Sequence, residues 1–179
     1  DIYWHSGKSG KVPTEEEYLQ MCANKSGSLA CMAAKLGALL GGGNEKQIEA
    51  LGNFAETGGV VFQIQDDILN ITENQGLGKE LGDDINEGKR TLLVIHTLNV
   101  SPENEKKRLL EILNAHTKDD KLLKEAIGII RKHGSVEYAK KTAGSLVEGA
   151  WKKIDATIPD SEAKKELRAL AELVLHRIV

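Results

Sequence analysis

Apolar residues recur at helical spacing along most of the chain. Thr14-Glu15-Glu16-Glu17, directly after Pro13, has the reciprocal pattern of a capping box: the threonine hydroxyl can satisfy an orphan amide while Glu17 reaches back. A helix is predicted to start there. Tyr18, Leu19, Cys22, Leu29, Met32, Ala33, Leu36 and Leu40 continue its apolar positions, and Gly41-Gly42-Gly43, which can take positive φ, stops it. Gly27 is a point at which this helix can bend. A second helix is predicted from Asn44 or Glu45 to Ile71, with Ile48, Leu51, Phe54, Val61, Ile64 and Ile68 at apolar positions. Its length, about 28 residues, suits a core helix that crosses a whole domain. Gly52, Gly58 and Gly59 would each cost about 1 kcal/mol there relative to alanine, so close packing by another helix or a ligand is expected to compensate.

Residues 74–88 read as a loop rich in Gly, Asp and Lys, after which Thr91 to Leu98 resumes an apolar helix. Ser101-Pro102 offers an N-cap and a proline at the first helical position for a helix to about Asn114. Another runs from Thr117 or Lys118 to His133, and Gly134-Ser135 separates it from the next. Helices over residues 135–157 and from 160 to about 177 complete a succession joined by short turns. The chain has no internal repeat, low-complexity tract or interdomain linker, so all of it, residues 1–179, is read as part of one domain.

Composition supports the same class. The 179 residues include only three prolines and 4% aromatic residues, while Ala, Leu, Ile, Glu and Lys recur, which favours helices over strands. The expected class is all-α. A net charge of −3 with dispersed basic residues argues against nucleic-acid binding, which needs concentrated Lys and Arg. Cys22 and Cys31 on one helix would be separated by roughly 13 Å of rise and face opposite sides, so they are not expected to pair. Free thiols, the lack of a signal peptide and the lack of a long apolar run suit a cytoplasmic protein without a membrane segment. There is no initiator Met, and the natural chain is expected to begin further upstream.

The candidate chemistry lies on the second helix. Gln63, Asp66, Asp67 and Asn70 fall along one stripe of it. Adjacent acids repel, so Asp66-Asp67 suits either open solvent or a bound divalent metal; apolar flanks, Val60-Val61-Phe62 before and Ile68-Leu69 and Ile71 after, favour the second. Carboxylates suit Mg²⁺, which accepts one or two of them together with phosphate oxygens and waters. Gly78-Lys79 and Gly88-Lys89 follow, with Asp83 and Asp84 between, and lysine beside glycine suits a phosphate approached by backbone. On their own, two such lysines are ordinary surface residues. Gly7-Lys8-Ser9 lacks the earlier glycine of a P-loop, and His5, His96, His116, His133 and His176 lack zinc spacing, so surface or packing roles are expected for them. Lys152, Lys153, Lys164 and Lys165 read as solvated helix faces.

Phe62-Gln63-Ile64-Gln65-Asp66-Asp67, then Gly78-Lys79, Gly82-Asp83-Asp84-Ile85 and Gly88-Lys89-Arg90-Thr91-Leu92, closely resemble the trans-isoprenyl diphosphate synthases, such as farnesyl and geranylgeranyl diphosphate synthase. Tyr18-Leu19-Gln20-Met21-Cys22-Ala23-Asn24-Lys25-Ser26-Gly27 resembles the same family's lysine-threonine segment. The resemblance implies an isoprenoid synthase fold, of which these residues would form the C-terminal half. It also implies a Mg²⁺-dependent prenyltransferase that joins isopentenyl diphosphate to an allylic diphosphate, giving a short trans-prenyl diphosphate. By the same resemblance Asp66 is the principal metal ligand, with Asp67 and Asp84 in support. Lys25, Lys79 and Lys89 would clamp the allylic diphosphate, and Ser26 and Gln63 would place oxygens beside the developing carbocation. Arg177 resembles a terminal basic position near the second substrate, and the complete protein would be a homodimer.

Two residues depart from the pattern. Asn70 stands at the motif's third aspartate, and Ser26 stands where threonine is usual, keeping the hydroxyl. The family's first aspartate motif, Asp-Asp-x-x-Asp, occurs nowhere in the sequence. The chain alone is therefore expected not to turn over. The alternative is a non-catalytic helical subunit that modulates a complete synthase.

Overall fold

The computed structural model describes residues 12–72 and 81–175. Gly7-Lys8-Ser9, His5, Lys79, His176 and Arg177 lie outside them. Among the described residues every regular element is helical. The capping box opens α1 (Glu15–Cys22): Thr14 N–H donates to Glu17 Oε2 at 2.8 Å and Glu17 N–H donates to Thr14 Oγ1 at 3.1 Å. The predicted helix to Leu40 is not one uniform run. A π-helical turn, Ala23–Gly27, separates α1 from α2 (Ser28–Leu40), its wider ring closed by Ser28 N–H on Ala23 O. The stop at the three glycines is a Schellman motif: Gly43 N–H donates to Ala38 O, Gly42 N–H donates to Leu39 O, and Gly42 takes φ +76°.

Helix α3 (Glu45–Ile71) matches the predicted long helix. Asn44 and Gln47 form a second reciprocal cap at its start, each side-chain oxygen accepting from the other's N–H. The predicted loop before Thr91 contains a single helical turn, α4 (Asp83–Asn86), entered through Gly82 at φ +84°. Then come α5 (Leu92–Val100), α6 (Glu103–Ala115), α7 (Asp120–Lys132), α8 (Ser135–Thr157) and α9 (Glu162–Leu175). The predicted Ser101 cap of α6 is not made. Pro102 takes the capping position, and the buried Ser101 Oγ finds no partner among the described residues.

The chain divides into two compact units. The first combines the segment to Tyr18 with Asp66–Lys140. Its core is α5, whose Leu92, Leu93, Val94 and Ile95 are all buried, packed on α7, which in turn packs on α6. His96 stacks on Tyr138 with ring centroids 4.0 Å apart, and the Tyr138 hydroxyl donates to Glu15.

The second unit comprises Leu19–Gln65 and Lys141–Ile178. There α3 closes on the π-helical turn, because a Cβ at Gly59 would stand 2.7 Å from Gly27 Cα and Ser26 O. Phe54 meets the edge of Trp151, over whose ring Arg168 lies. One expectation is corrected in this unit. Lys164 is buried, not solvated, with its ammonium between Asp155 and Asp160. The apolar positions of α2 are exposed: Leu29, Met32, Leu36, Leu39 and Leu40 face outward, and the helix buries none of its residues.

Candidate functional site

The aspartate end of α3 belongs to the first unit. Asp66 and Asp67 are neighbours in sequence but point about 100° apart around the helix, which gives them different surroundings. Asp66 is half-buried, whereas Asp67 is buried and accepts a hydrogen bond at 2.6 Å from the Tyr18 hydroxyl. Tyr18 was not among the expected site residues. Its sequence position shows only an apolar face; a buried tyrosine hydroxyl needs a partner, and the partner lies 49 residues away.

Asn70 holds the following segment in place. Its backbone carbonyl accepts from Gly82 N–H at 2.9 Å, and its side-chain oxygen accepts from Asp84 N–H at 3.0 Å. The amide at the third aspartate position is thus occupied with the backbone of α4. Asp84 in turn receives Lys89 Nζ at 2.6 Å, and Lys89 also reaches Glu87 at 2.8 Å. Burial depresses the Lys89 pKa, but its hydrogen bonds to Asp84 and Glu87 outweigh that and hold it well above the ordinary lysine value. Arg90, next along, is buried with its guanidinium on Gly88 O and Asn114 Oδ1. Three motif segments, 66–70, 82–84 and 88–90, are therefore brought together by named bonds. Arg131 completes this end of α3 by donating to Ile71 O at 2.6 Å, where a cation complements the helix dipole.

Lys25, Ser26 and Gln63 belong to the second unit. Lys25 and Ser26 lie in the π-helical turn, a distortion often found at functional sites, with Lys25 exposed and Ser26 half-buried. The turn meets α3 at Gly59, one helical turn before Gln63. Beside Ser26 opens a cavity of about 450 Å³ with walls that include Phe54, Gly58, Phe62, Leu167 and Leu170. Its lining is almost wholly apolar. Gln65 turns the other way, donating to Leu175 O at 2.6 Å and holding the end of α9.

No three His, Cys, Asp or Glu side chains converge into a metal cage among the described residues. Mg²⁺ does not need one, because waters and phosphate oxygens fill most of its shell. Asp66 fits such an open site as a half-buried carboxylate, and Asp84 stands as an acid already next to a cation. Of the expected diphosphate lysines, Lys25 and Lys89 fall in separate units and Lys79 lies outside the described residues. The described histidines have other partners: His133 meets Glu105, His116 reaches Asn86 O, and His96 contacts Ser135.

The sequence pattern of one family, polyprenyl synthetase, matches residues 1–130. A short chain isoprenyl diphosphate synthase of Methanothermobacter thermautotrophicus is 39% identical over 165 residues, covering 92% of this chain and 50% of that protein. The crystal structure of a geranylgeranyl pyrophosphate synthetase from Pyrococcus horikoshii Ot3 matches with a TM-score of 0.85 at 34% identity, over 96% of this chain and 52% of that one. A geranylgeranyl pyrophosphate synthase from Corynebacterium glutamicum, complexed with calcium and isoprenyl diphosphate, matches with a TM-score of 0.79 at 30% identity, over 91% and 50%. The chain spans about half the length of the curated relatives it matches.

Proposed function

The chain belongs to the polyprenyl synthetase family and has the all-α isoprenoid synthase fold, and on that premise we propose that it forms the diphosphate-holding part of a trans-isoprenyl diphosphate synthase. In the proposed reaction the bond between an allylic carbon and its diphosphate oxygen breaks. A carbon–carbon bond then forms to isopentenyl diphosphate, and a proton leaves to the departing diphosphate, giving a short trans-prenyl diphosphate such as geranylgeranyl or farnesyl diphosphate.

The observation that carries this reading is the chain of bonds from Asn70 to Asp84 to Lys89. It sets an acid and a cation side by side, next to the aspartate helix. Such a pair suits a metal-bound diphosphate, the carboxylate turning to the metal and the ammonium to a phosphate oxygen. Asp66 would be the principal carboxylate toward Mg²⁺, with Asp67 and Asp84 in support. Mg²⁺, when bound, neutralises diphosphate charge and eases its departure. Lys25, Lys79 and Lys89 would clamp the diphosphate. The oxygens of Ser26 and Gln63 would face the carbon where positive charge develops, a fixed-dipole stabilisation.

A direct test compares geranyl diphosphate with geraniol as ligands of the full chain in Mg²⁺. The diphosphate is expected to bind far more tightly; equal binding of the alcohol would sink the reading. Incubated alone with Mg²⁺, isopentenyl diphosphate and an allylic primer, the chain is expected to make no product, since it contains no Asp-Asp-x-x-Asp. The exposed stripe of α2 suits a helical partner and is the observation favouring the second reading, a helical subunit that modulates a complete synthase. A homodimer in the cytosol is the assembly proposed for the complete protein, with no nucleic-acid partner. No helix among the described residues is long and apolar enough to cross a membrane.

A further inference from the structure

The two acids of the aspartate helix differ in a way that assigns them different work. Tyr18 is 2% exposed and Asp67 4% exposed, and the bond between them is 2.6 Å long, the range of a hydroxyl donating to an ionised carboxylate. Ile64 and Ile68, both buried, lie one turn before Asp67 and beside it on α3. A carboxylate so enclosed, with one oxygen already bonded, is a poor direct ligand for Mg²⁺, which dehydrates reluctantly and takes oxygens that meet it in octahedral geometry. Asp66, half-buried, has the exposure such a ligand needs.

We propose that Tyr18 is a positioning residue for the metal site: by anchoring Asp67 it fixes the rotation of α3, so that Asp66 presents its carboxylate to Mg²⁺ while Asp67 supports from behind. This rests on the Mg²⁺-diphosphate reading above. The capping box that starts α1 contributes, because Tyr18 N–H donates to Thr14 O in the first turn that Thr14 and Glu17 stabilise. The anchor therefore begins in a locally fixed helix end and terminates on the metal-bearing helix. Outer-shell partners of this kind change metal affinity by about 10- to 100-fold when removed.

The experiment titrates Mg²⁺ into the full chain with inorganic diphosphate present and reads diphosphate binding by calorimetry, for the wild type and for Y18F, D67N, the double variant and D66N. Tyr18→Phe keeps the ring and Asp67→Asn keeps the shape, so the helices stay packed. The Mg²⁺ concentration giving half-maximal binding is expected to rise about tenfold in Y18F and in D67N. The double variant should show no further rise, while diphosphate binding without Mg²⁺ stays unchanged in Y18F. D66N is expected to lose the Mg²⁺ effect altogether. The proposal is overturned if D67N loses the Mg²⁺ effect as completely as D66N, or if Y18F leaves the midpoint in place. Absence of a Mg²⁺ effect in the wild type would instead overturn the functional reading itself, and the proposal with it.

Discussion

Residues 52–59 and residues 63–70 lie on the same helix, α3, and are built for different neighbours. The first stretch is rich in glycine. At Gly59 the backbone of the π-helical turn comes so close that a methyl group would not fit, whereas at Gly52 the neighbour is the flexible Lys35 side chain, which would have to shift. The second stretch has no glycine and meets its surroundings through polar side chains: Gln65 on Leu175 O, Asp67 under Tyr18, Asn70 on Asp84 N–H. One stretch seats a backbone by having nothing there, and the other seats a loop and a helix by directed bonds. The first sets how closely a neighbouring backbone can approach, and the second fixes its neighbours by direction.

Gly59→Ala is expected to have the largest effect on this helix. Its Cβ would meet backbone on the π-helical turn, which cannot swing aside as a side chain can, so a loss of about 3 kcal/mol is expected in denaturant unfolding. On the polar stretch, Asn70→Ala leaves the buried Asp84 N–H without its acceptor and should cost about 2 kcal/mol, while Asn70→Asp keeps an accepting oxygen and should cost much less. If both Asn70 variants lose the same stability, the bond to α4 is not what Asn70 supplies.

A smaller effect depends on pH. The folded-state pKa of Lys89 is raised above its ordinary value of 10.5 by Asp84 and Glu87, against the opposing effect of burial. Its stabilisation is therefore fully present below the ordinary value and is lost as pH rises through the folded one. The stability gap between wild type and Lys89→Gln should stay constant from about pH 7 to about pH 10 and close above that. A gap that closes on acidification below neutrality, with none of this alkaline loss, would assign the effect to another group. The smallest effect has the opposite sign. A Cβ at Gly58 would meet nothing within 4 Å, so Gly58→Ala should gain up to about 1 kcal/mol from helix propensity alone. An equal loss at Gly58 and Gly59 would mean that close packing does not explain the glycines.

Much of this was readable before the fold. The capping box at Thr14, the glycine stop after Leu40 and the full extent of α3 and α8 follow from local pattern, because caps and periodicity are properties of a few neighbouring residues. The motif residues around Asp66 and Lys89 are legible through the resemblance, each short stretch matching by itself. What escaped depends on distant partners. The π-helical turn leaves the apolar pattern of residues 15–40 intact; Gly27 marks where the helix can bend, but the wider turn shows itself only where Gly59 approaches it. Tyr18 reads as one more apolar position until Asp67 is beside it. Lys164 reads as a solvated lysine until Asp155 and Asp160 close around it. The stripe of α2 reads only as a helical period, since hydrophobic period does not report what a face is covered by.

In the proposed function this chain holds diphosphate through a divalent metal. Calorimetric titration of inorganic diphosphate into the unmodified chain, with Mg²⁺ and with the metal removed by chelation, probes this holding itself. Saturable binding is expected in Mg²⁺, weakening at least about tenfold without it, the scale on which a metal-bridged anion is held. Binding of equal strength with and without Mg²⁺, or none in either condition, would contradict it.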